Sequence, residues 1–212
     1  MPESLLPIFP LQLVLLPGAS LPLHIFEERY KEMIGHVTTN SSEFGIVQAG
    51  DRGILNVGCT AVVEKVAERY EDGRLDIICR GQRRFEIILL NEEREYLRAS
   101  VSMFDDEEGE SETPAELRRT ALAAYALLIG SQEQQEEADT RDPRLSFRIS
   151  ALIDDLGVKQ TMLSLRSERE RLTQLTAFLP QYLARLKRTA HVRKVAPRNG
   201  HGMIRIGERD GE

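Results

Sequence analysis

The densest run of chemically capable side chains is "LPLHIFEERY", where His24 stands three residues before Glu27 and four before Glu28, followed by Arg29 and Tyr30. An imidazole close to two carboxylates could hold a metal ion or share acid and base roles. A helical zinc site needs two histidines at i and i+4 and a third ligand. The remaining histidines are His36, His191 and His201, none of them at that spacing from His24. A strand-to-helix boundary between His24 and Glu27 also removes them from a common face. Glu27 and Glu28 then fall in a first helical turn, where acids complement the helix dipole. We read the run as the start of a helix and assign no catalytic residue, metal or cofactor to it.

Three other groups invite a chemical reading. Arg80, Arg83 and Arg84 in "RGQRRFEI" could meet a phosphate or a carboxylate, the contact an RNA-binding protein would need. A strand arginine in a small barrel more commonly pairs with a carboxylate across the sheet, and Gly81 marks a bulge or a close backbone approach. Cys59 and Cys79 lie among apolar strand residues and read as buried, inert thiols. Two such cysteines form neither a disulfide framework nor a zinc knuckle. Leu15, Leu16, Leu21 and Leu23 surround the Pro17-Gly18 turn. They form either an exposed contact patch or a plug for one end of a barrel.

The elements that must hold these groups divide the chain in two. Residues 1–106 are β-rich: short apolar runs punctuated by Pro7, Pro10 and Pro17, then "EFGIVQAG", "GCTAVVEKVAERY", "LDIICRGQRRFEIILL" and "YLRASVSMF". Asp72-Gly73 between two of these runs predicts a two-residue hairpin turn, with Arg69 facing Asp76 and Val66 facing Cys79. In that register Cys59 lies far from Cys79. One helix, from about Phe26 through "EERYKEMIGHV", places Tyr30, Met33, Ile34 and Val37 on one face.

"DDEEGESE" (105–112) reads as an acidic linker. Residues 113–188 then change period to that of helices. Thr113, Pro114 and Glu116 predict a capping box, followed by a stripe of Leu117, Ala121, Ala124, Tyr125, Leu128 and Ile129. Asp142-Pro143 opens a second helix carrying Leu145, Ile149, Leu152, Ile153 and Leu156 and stopped at Gly157. "KQTMLSL" forms a short third. "SERE" (167–170) caps a last helix with Leu172, Leu175, Leu179, Tyr182 and Leu186, which Pro180 should kink. Such faces bury one another in a bundle. Residues 189–212 form a basic tail, expected to be mobile.

Composition agrees with a soluble protein: 212 residues, 41% hydrophobic, 29% charged, net charge −6 and a pI near 5.4. The acidic balance disfavours bulk affinity for nucleic acid or anionic membranes. No run is long and apolar enough for a membrane span, and the first residues lack the basic start and unbroken apolar core of a signal peptide. A cytoplasmic, bacterial or organellar setting is the expectation.

Three stretches, in order, resemble one family. "LPIFPLQLVLLPGASLPLHIFEERY" is similar to an apolar strand, Pro-Gly turn and Arg-Tyr helix of the amino-terminal, substrate-binding domain of ATP-dependent Lon proteases. "RGQRRFEI" matches through Gly81, Arg84, Phe85 and Ile87, and "KQTMLSLRSERERLTQLTAFL" resembles the helical part; together they cover about residues 5–186. The resemblance implies an α+β fold, a PUA-like β pseudobarrel with one internal helix followed by a C-terminal helical bundle. It implies a non-enzymatic module that binds unfolded or specific protein segments for a protease or chaperone, or as a regulator. Full Lon proteases continue into ATPase and Ser–Lys protease modules. Here no G-x-x-x-x-G-K-[ST] loop occurs: Gly45, Gly50, Gly53 and Gly58 lack its lysine and spacing. The chain therefore looks like a stand-alone amino-terminal domain without those activities. The PUA-like fold leaves RNA binding through Arg80, Arg83, Arg84 and the tail as the alternative.

Overall fold

The computed structural model describes residues 5–51, 53–107, 113–130 and 141–195, with side chains described as far as residue 189. Six strands come first: β1 (Leu6–Leu11), β2 (Ser20–Ile25), β3 (Phe44–Gly50), β4 (Gly53–Arg69), β5 (Leu75–Asn91) and β6 (Arg98–Phe104), with α1 (Glu28–Thr39) between β2 and β3. The helices α2 (Ala115–Ile129), α3 (Leu145–Ala151), α4 (Leu156–Ser164) and α5 (Glu168–Val195) follow. The class is α+β, as the sequence implies.

The strand order is β2-β5-β4-β3-β1-β6, and β6 returns to pair with β5. Five strands therefore ring a core while β2 hangs on the outside of β5. The long strands serve both arrangements by bending. Ladder irregularities fall between Cys59 and Ala61, Val63 and Lys65, and Val66 and Glu68, and such bulges sharpen twist and redirect a strand. The first half of β4 pairs with β3 and the second half of β5 with β6. The remaining halves pair with each other, and β5 takes β2 on its far side. Phe85 lies at the centre of the ring, and its ring packs where a Cβ on Gly45 or Gly58 would stand only 2.6 Å away.

The helix α1 covers the barrel with Tyr30, Met33, Ile34 and Val37, all buried as their spacing predicts. Tyr30 stacks on Phe9 of β1 with ring centroids 4.1 Å apart. The β4–β5 turn differs from expectation. Gly73 N–H donates to the Tyr70 carbonyl at 3.0 Å, and Tyr70 N–H donates to the Arg74 carbonyl at 3.0 Å. The loop therefore holds three residues, with Gly73 at φ +84°. A turn ending in a left-handed glycine bulge is as compatible with Asp-Gly as the two-residue form. Arg69 consequently faces Leu75, and Cys79 faces Val63. Cys59 pairs with Arg84 instead, and both cysteines are free and buried.

The bundle also departs from its predicted boundaries. Pro114, not Thr113, is the N-cap of α2, with no side-chain cap bond. The second predicted helix is two: α3 ends at Ala151, and Leu156 and Gly157 open α4, whose N-cap Asp155 accepts from Val158 N–H at 3.0 Å. An Asp cap at this spacing outweighs the stop that glycine suggests. Ser167 caps α5 by accepting from Glu170 N–H at 3.0 Å. The helix α5 runs through Pro180 and on to Val195, into the stretch assigned to the tail. The rest of that tail, from residue 196, lies outside the described residues. Leu145, Ile149, Leu172, Leu175, Leu179 and Tyr182 form the bundle core with Tyr125 and Leu128.

Candidate functional site at the junction of barrel and bundle

The seam between the two halves is built from residues with two-sided surroundings. The helix α3 has seven residues, and five are buried: Leu145, Ser146, Phe147, Ile149 and Ser150. Leu145 and Ile149 face the bundle core, while Phe147 belongs to the barrel core beside Leu15, Leu16, Cys59 and Cys79. Leu163 of α4 joins the barrel core as well. Gln160 of the "KQ" pair donates from Nε2 to the Val57 carbonyl at 3.0 Å, tying α4 to β4.

Charged groups complete the junction. Arg171 of α5 is fully buried and Arg84 of β5 is 4% exposed. Asp106 binds both. It accepts from Arg171 at 2.7 and 2.6 Å and from Arg84 at 2.6 Å. Glu168 accepts from Arg171 Nη2 at 2.9 Å and from the Ser146 hydroxyl and backbone N–H. Arg84 also donates to the Leu165 carbonyl, as does Arg171 at 2.8 Å. Both guanidiniums lie over the Phe147 ring, at 5.5 and 4.5 Å.

Burial disfavours all three charges here. It lowers the Arg84 pKa, with Asp106 only partly opposing it. In Arg171 burial pulls the same way, but hydrogen bonds and charge from Asp106 and Glu168 win and raise it. Burial raises the Asp106 carboxyl, yet Arg171 and Arg84 together hold it below the ordinary carboxylate range. The cluster is a satisfied internal network, in which the carboxylate accepts from two forks.

Beside it the seam opens. A cleft of about 640 Å³ lies between the loop Pro17–Ser20 with Arg80 on the barrel side and Tyr125, Asp142, Arg144, Phe147, Arg148, Ala151 and Leu152 on the bundle side. A smaller cavity of about 240 Å³ shares Pro17, Arg144 and Phe147 with it and adds Gln82, Arg83, Arg84, Asp105, Asp106, Pro143 and Arg171. The barrel wall is held by backbone pairing: Gly18 N–H donates to the Gly81 carbonyl at 2.8 Å, and Gly81 N–H to the Ala19 carbonyl at 2.9 Å. A Cβ on Gly81 would stand 2.3 Å from the Leu16 carbonyl oxygen. Gly81 is thus a close backbone approach, one of the two readings its position allowed.

The residues singled out in the sequence are distributed unevenly around this cleft. Leu15 and Leu16 are 3% and 1% exposed and pack in the barrel core, while Leu21 and Leu23 are half-buried against it. The turn tucks its leucines inward because Gly81 lets the chain lie close to β5. The most exposed large apolar side chains among the described residues are elsewhere: Ile88 and Leu89 on β5, 65% and 69% exposed, then Leu127 and Phe26; the first two flank the ladder irregularity between Ile87 and Leu89. Arg80 is paired with Glu64 and donates to the Gly18 carbonyl at 3.0 Å. Arg83 is exposed. Arg84 is consumed by the internal network.

His24 does not meet Glu27 or Glu28. It sits across the ladder from Asp76, and its Nδ1 lies 2.6 Å from the carboxylate, which also accepts from Tyr70 at 2.7 Å. Hydrogen bonds from His24 and then Tyr70 lower the Asp76 pKa. Glu27 pairs with Arg29 and Glu28 with Lys31. Among the described residues no group of three or more His, Cys, Asp or Glu side chains could hold a metal ion, and no helix is long and apolar enough to cross a membrane.

Sequence reasoning missed Asp106, read as part of a solvated linker, and Phe147. Phe147 carried a signal: a large aromatic off the Leu145–Ile149 stripe of its helix implies a second packing partner.

Comparison with known proteins places this geometry. The family model described as the ATP-dependent protease La (LON) substrate-binding domain matches residues 5–181. The Lon protease of Flavobacterium johnsoniae is 25% identical over 86% of this chain, and that of Cytophaga hutchinsonii 24% over 90%. The chain spans about a quarter of the length of these curated relatives, 24% and 26%. A Lon N-terminal domain protein from Xanthomonas campestris superposes with a TM-score of 0.66 at 26% identity, covering 82% of this chain and 98% of that one. The N-terminal domain of a Mycobacterium avium complex Lon protease gives 0.65 at 17% identity, over 85% and 98%.

Proposed function

The chain belongs to the ATP-dependent protease La (LON) substrate-binding domain family, and we propose that it binds unfolded or specific protein segments in the cleft between barrel and bundle. In this reading it has no peptidase or ATPase activity of its own. It works in the cytoplasm, handing segments to a protease or chaperone or regulating one. The observation that carries the reading is the cleft itself. It is lined by apolar and aromatic side chains, Pro17, Phe147 and Leu152 among them, together with Ser20, Asp142 and three arginines. Its volume is within the range of pockets that enclose a drug-sized ligand, enough for a few residues of extended chain.

Addition of a strand to a sheet edge is the other way such a domain could hold a segment. β2 pairs only with β5 among the described strands, so its far side is the obvious edge. Pro22 stands within this six-residue strand. It removes a donor and blunts an edge against pairing. The cleft is the better supported mode.

The test is binding of a permanently unfolded, reduced and carboxymethylated protein to the full chain, with and without Ala151→Trp. Ala151 is an exposed residue on the cleft wall, so the indole fills the cleft without entering a core. Binding by the wild type and its loss in the variant, at unchanged melting temperature, support the reading. Absence of binding by the wild type, or equal binding by both, refutes it.

A further inference from the structure

We propose that the cleft selects segments in which an acidic side chain stands next to an apolar one, with Arg144 as the group that reads the acid; the proposal rests on the cleft being the segment-binding site. On a chain of net charge −6, the two adjoining cavities are lined by twice as many arginines as aspartates, with no lysine or glutamate. Most of those charges are already answered: Arg84 and Arg171 by Asp106, Arg148 by Asp142, Arg80 by Glu64. Arg144 is different. It is exposed, lines both cavities and lies over the Pro17–Gly18 turn, its Nη1 3.4 Å from where a Gly18 Cβ would stand. Among the described residues its guanidinium has no carboxylate partner; its backbone N–H donates to Asp142 at 2.8 Å and its carbonyl accepts from Arg148 N–H at 3.0 Å.

A guanidinium fork shared by both cavities, in a cleft lined by polar and apolar groups alike, is a carboxylate receptor. Its planar, paired donors match a carboxylate in two-point geometry. Ala151 and Leu152 on the same wall offer apolar surface to the neighbouring side chain. Partial enclosure lowers the local dielectric and strengthens the ion pair over its worth on an open surface. An RNA phosphate would feel the same charge, but of the three arginines that would extend a phosphate track, Arg80 and Arg84 are engaged with carboxylates of the protein itself, and only Arg83 stands exposed beside Arg144. A protein segment with a single acid fits better than a polyanion.

The experiment measures fluorescence anisotropy of the full chain with unstructured ten-residue peptides, amidated and carrying a neutral dye. They differ at one position within a Phe-Asp-Leu, Phe-Asn-Leu or Phe-Lys-Leu step. The Asp peptide should bind about tenfold tighter than the Asn peptide, the change expected of one charge-assisted hydrogen-bonded pair, and the Lys peptide weakest. Arg144→Gln should bring that preference below about twofold, and Arg144→Lys should retain part of it, because the charge survives without the fork. Arg74→Gln, a control on the distant β4–β5 turn, should keep the full preference. Equal affinity for the Asp and Asn peptides overturns the acid preference while segment binding stands. So does a preference that survives Arg144→Gln. Failure of every peptide to bind overturns the segment-binding reading together with this one. Tighter, Arg144-dependent binding of a single-stranded RNA decamer assigns the cleft to nucleic acid and overturns the proposal.

Discussion

Arg171 and Asp106 meet through two parallel hydrogen bonds, Nη1 to Oδ1 at 2.7 Å and Nη2 to Oδ2 at 2.6 Å, where the end of the barrel joins the last helix. Arg84 shares the same carboxylate from the barrel side. One acidic side chain thus holds two buried cations from different halves of the molecule, and the cleft wall is only as rigid as that joint.

Removing the carboxylate should therefore be costly. Asp106→Ala leaves Arg84 with no carboxylate and Arg171 with Glu168 alone, and the expected loss is on the order of 3 kcal/mol, typical of breaking one side of a buried pair. Urea melts of the two proteins measure it. A change below about 0.5 kcal/mol would show that the network is not a stabilising joint.

The same carboxylate sets an acid limit. Its folded-state pKa is depressed, so its contribution is fully present above the unfolded-state value, near pH 4, and is lost as pH falls below that and through the folded value. The stability gap between wild type and Asp106→Ala should be constant from about pH 5 to 7 and should narrow as pH falls below about 4. Melting curves across that range check both the window and its sign.

Gly81→Ala should destabilise by about 1–3 kcal/mol, because the new methyl meets the Leu16 carbonyl oxygen at 2.3 Å and backbone must move. The loop Pro17–Ser20 forms the barrel wall of the cleft, so binding of an unfolded protein should weaken with it. Calorimetry on the one variant reads both effects.

Leu16→Ala and Ile88→Ser separate core from surface. Leu16, 1% exposed, should cost about 2–5 kcal/mol. Ile88, 65% exposed, should change stability by less than about 0.5 kcal/mol. The reverse order in chemical denaturation would contradict the placement of the leucine-rich turn inside the barrel.

Burial pushes the thiols of Cys59 and Cys79 up to about 12, so neither should form an appreciable thiolate at pH 8. Iodoacetamide should leave both unlabelled in the native protein and label both in denaturant, as mass spectrometry would show.

Much of the fold is legible in the residues alone. Tyr30, Met33, Ile34 and Val37 of α1, and Leu172, Leu175, Leu179 and Tyr182 of α5, were readable because a helix repeats its buried face every three or four residues. The α+β class and the resemblance that marks the family followed from stretches contiguous in the chain. Local chemistry with two acceptable outcomes was not settled there. Asp72-Gly73 allows a two- or three-residue turn, and Gly157 can end a helix or ride in the first turn of the next. The cleft was out of reach for a stronger reason. It depends on Gly81 admitting the Leu16 carbonyl, on Phe147 turning from its helix into the barrel, and on Asp106 meeting partners 22 and 65 residues away. Side-chain types and periodicity report which face of an element is buried. Which charges are answered, and which, as at Arg144, are left facing a cleft, depends on how barrel and bundle close on each other.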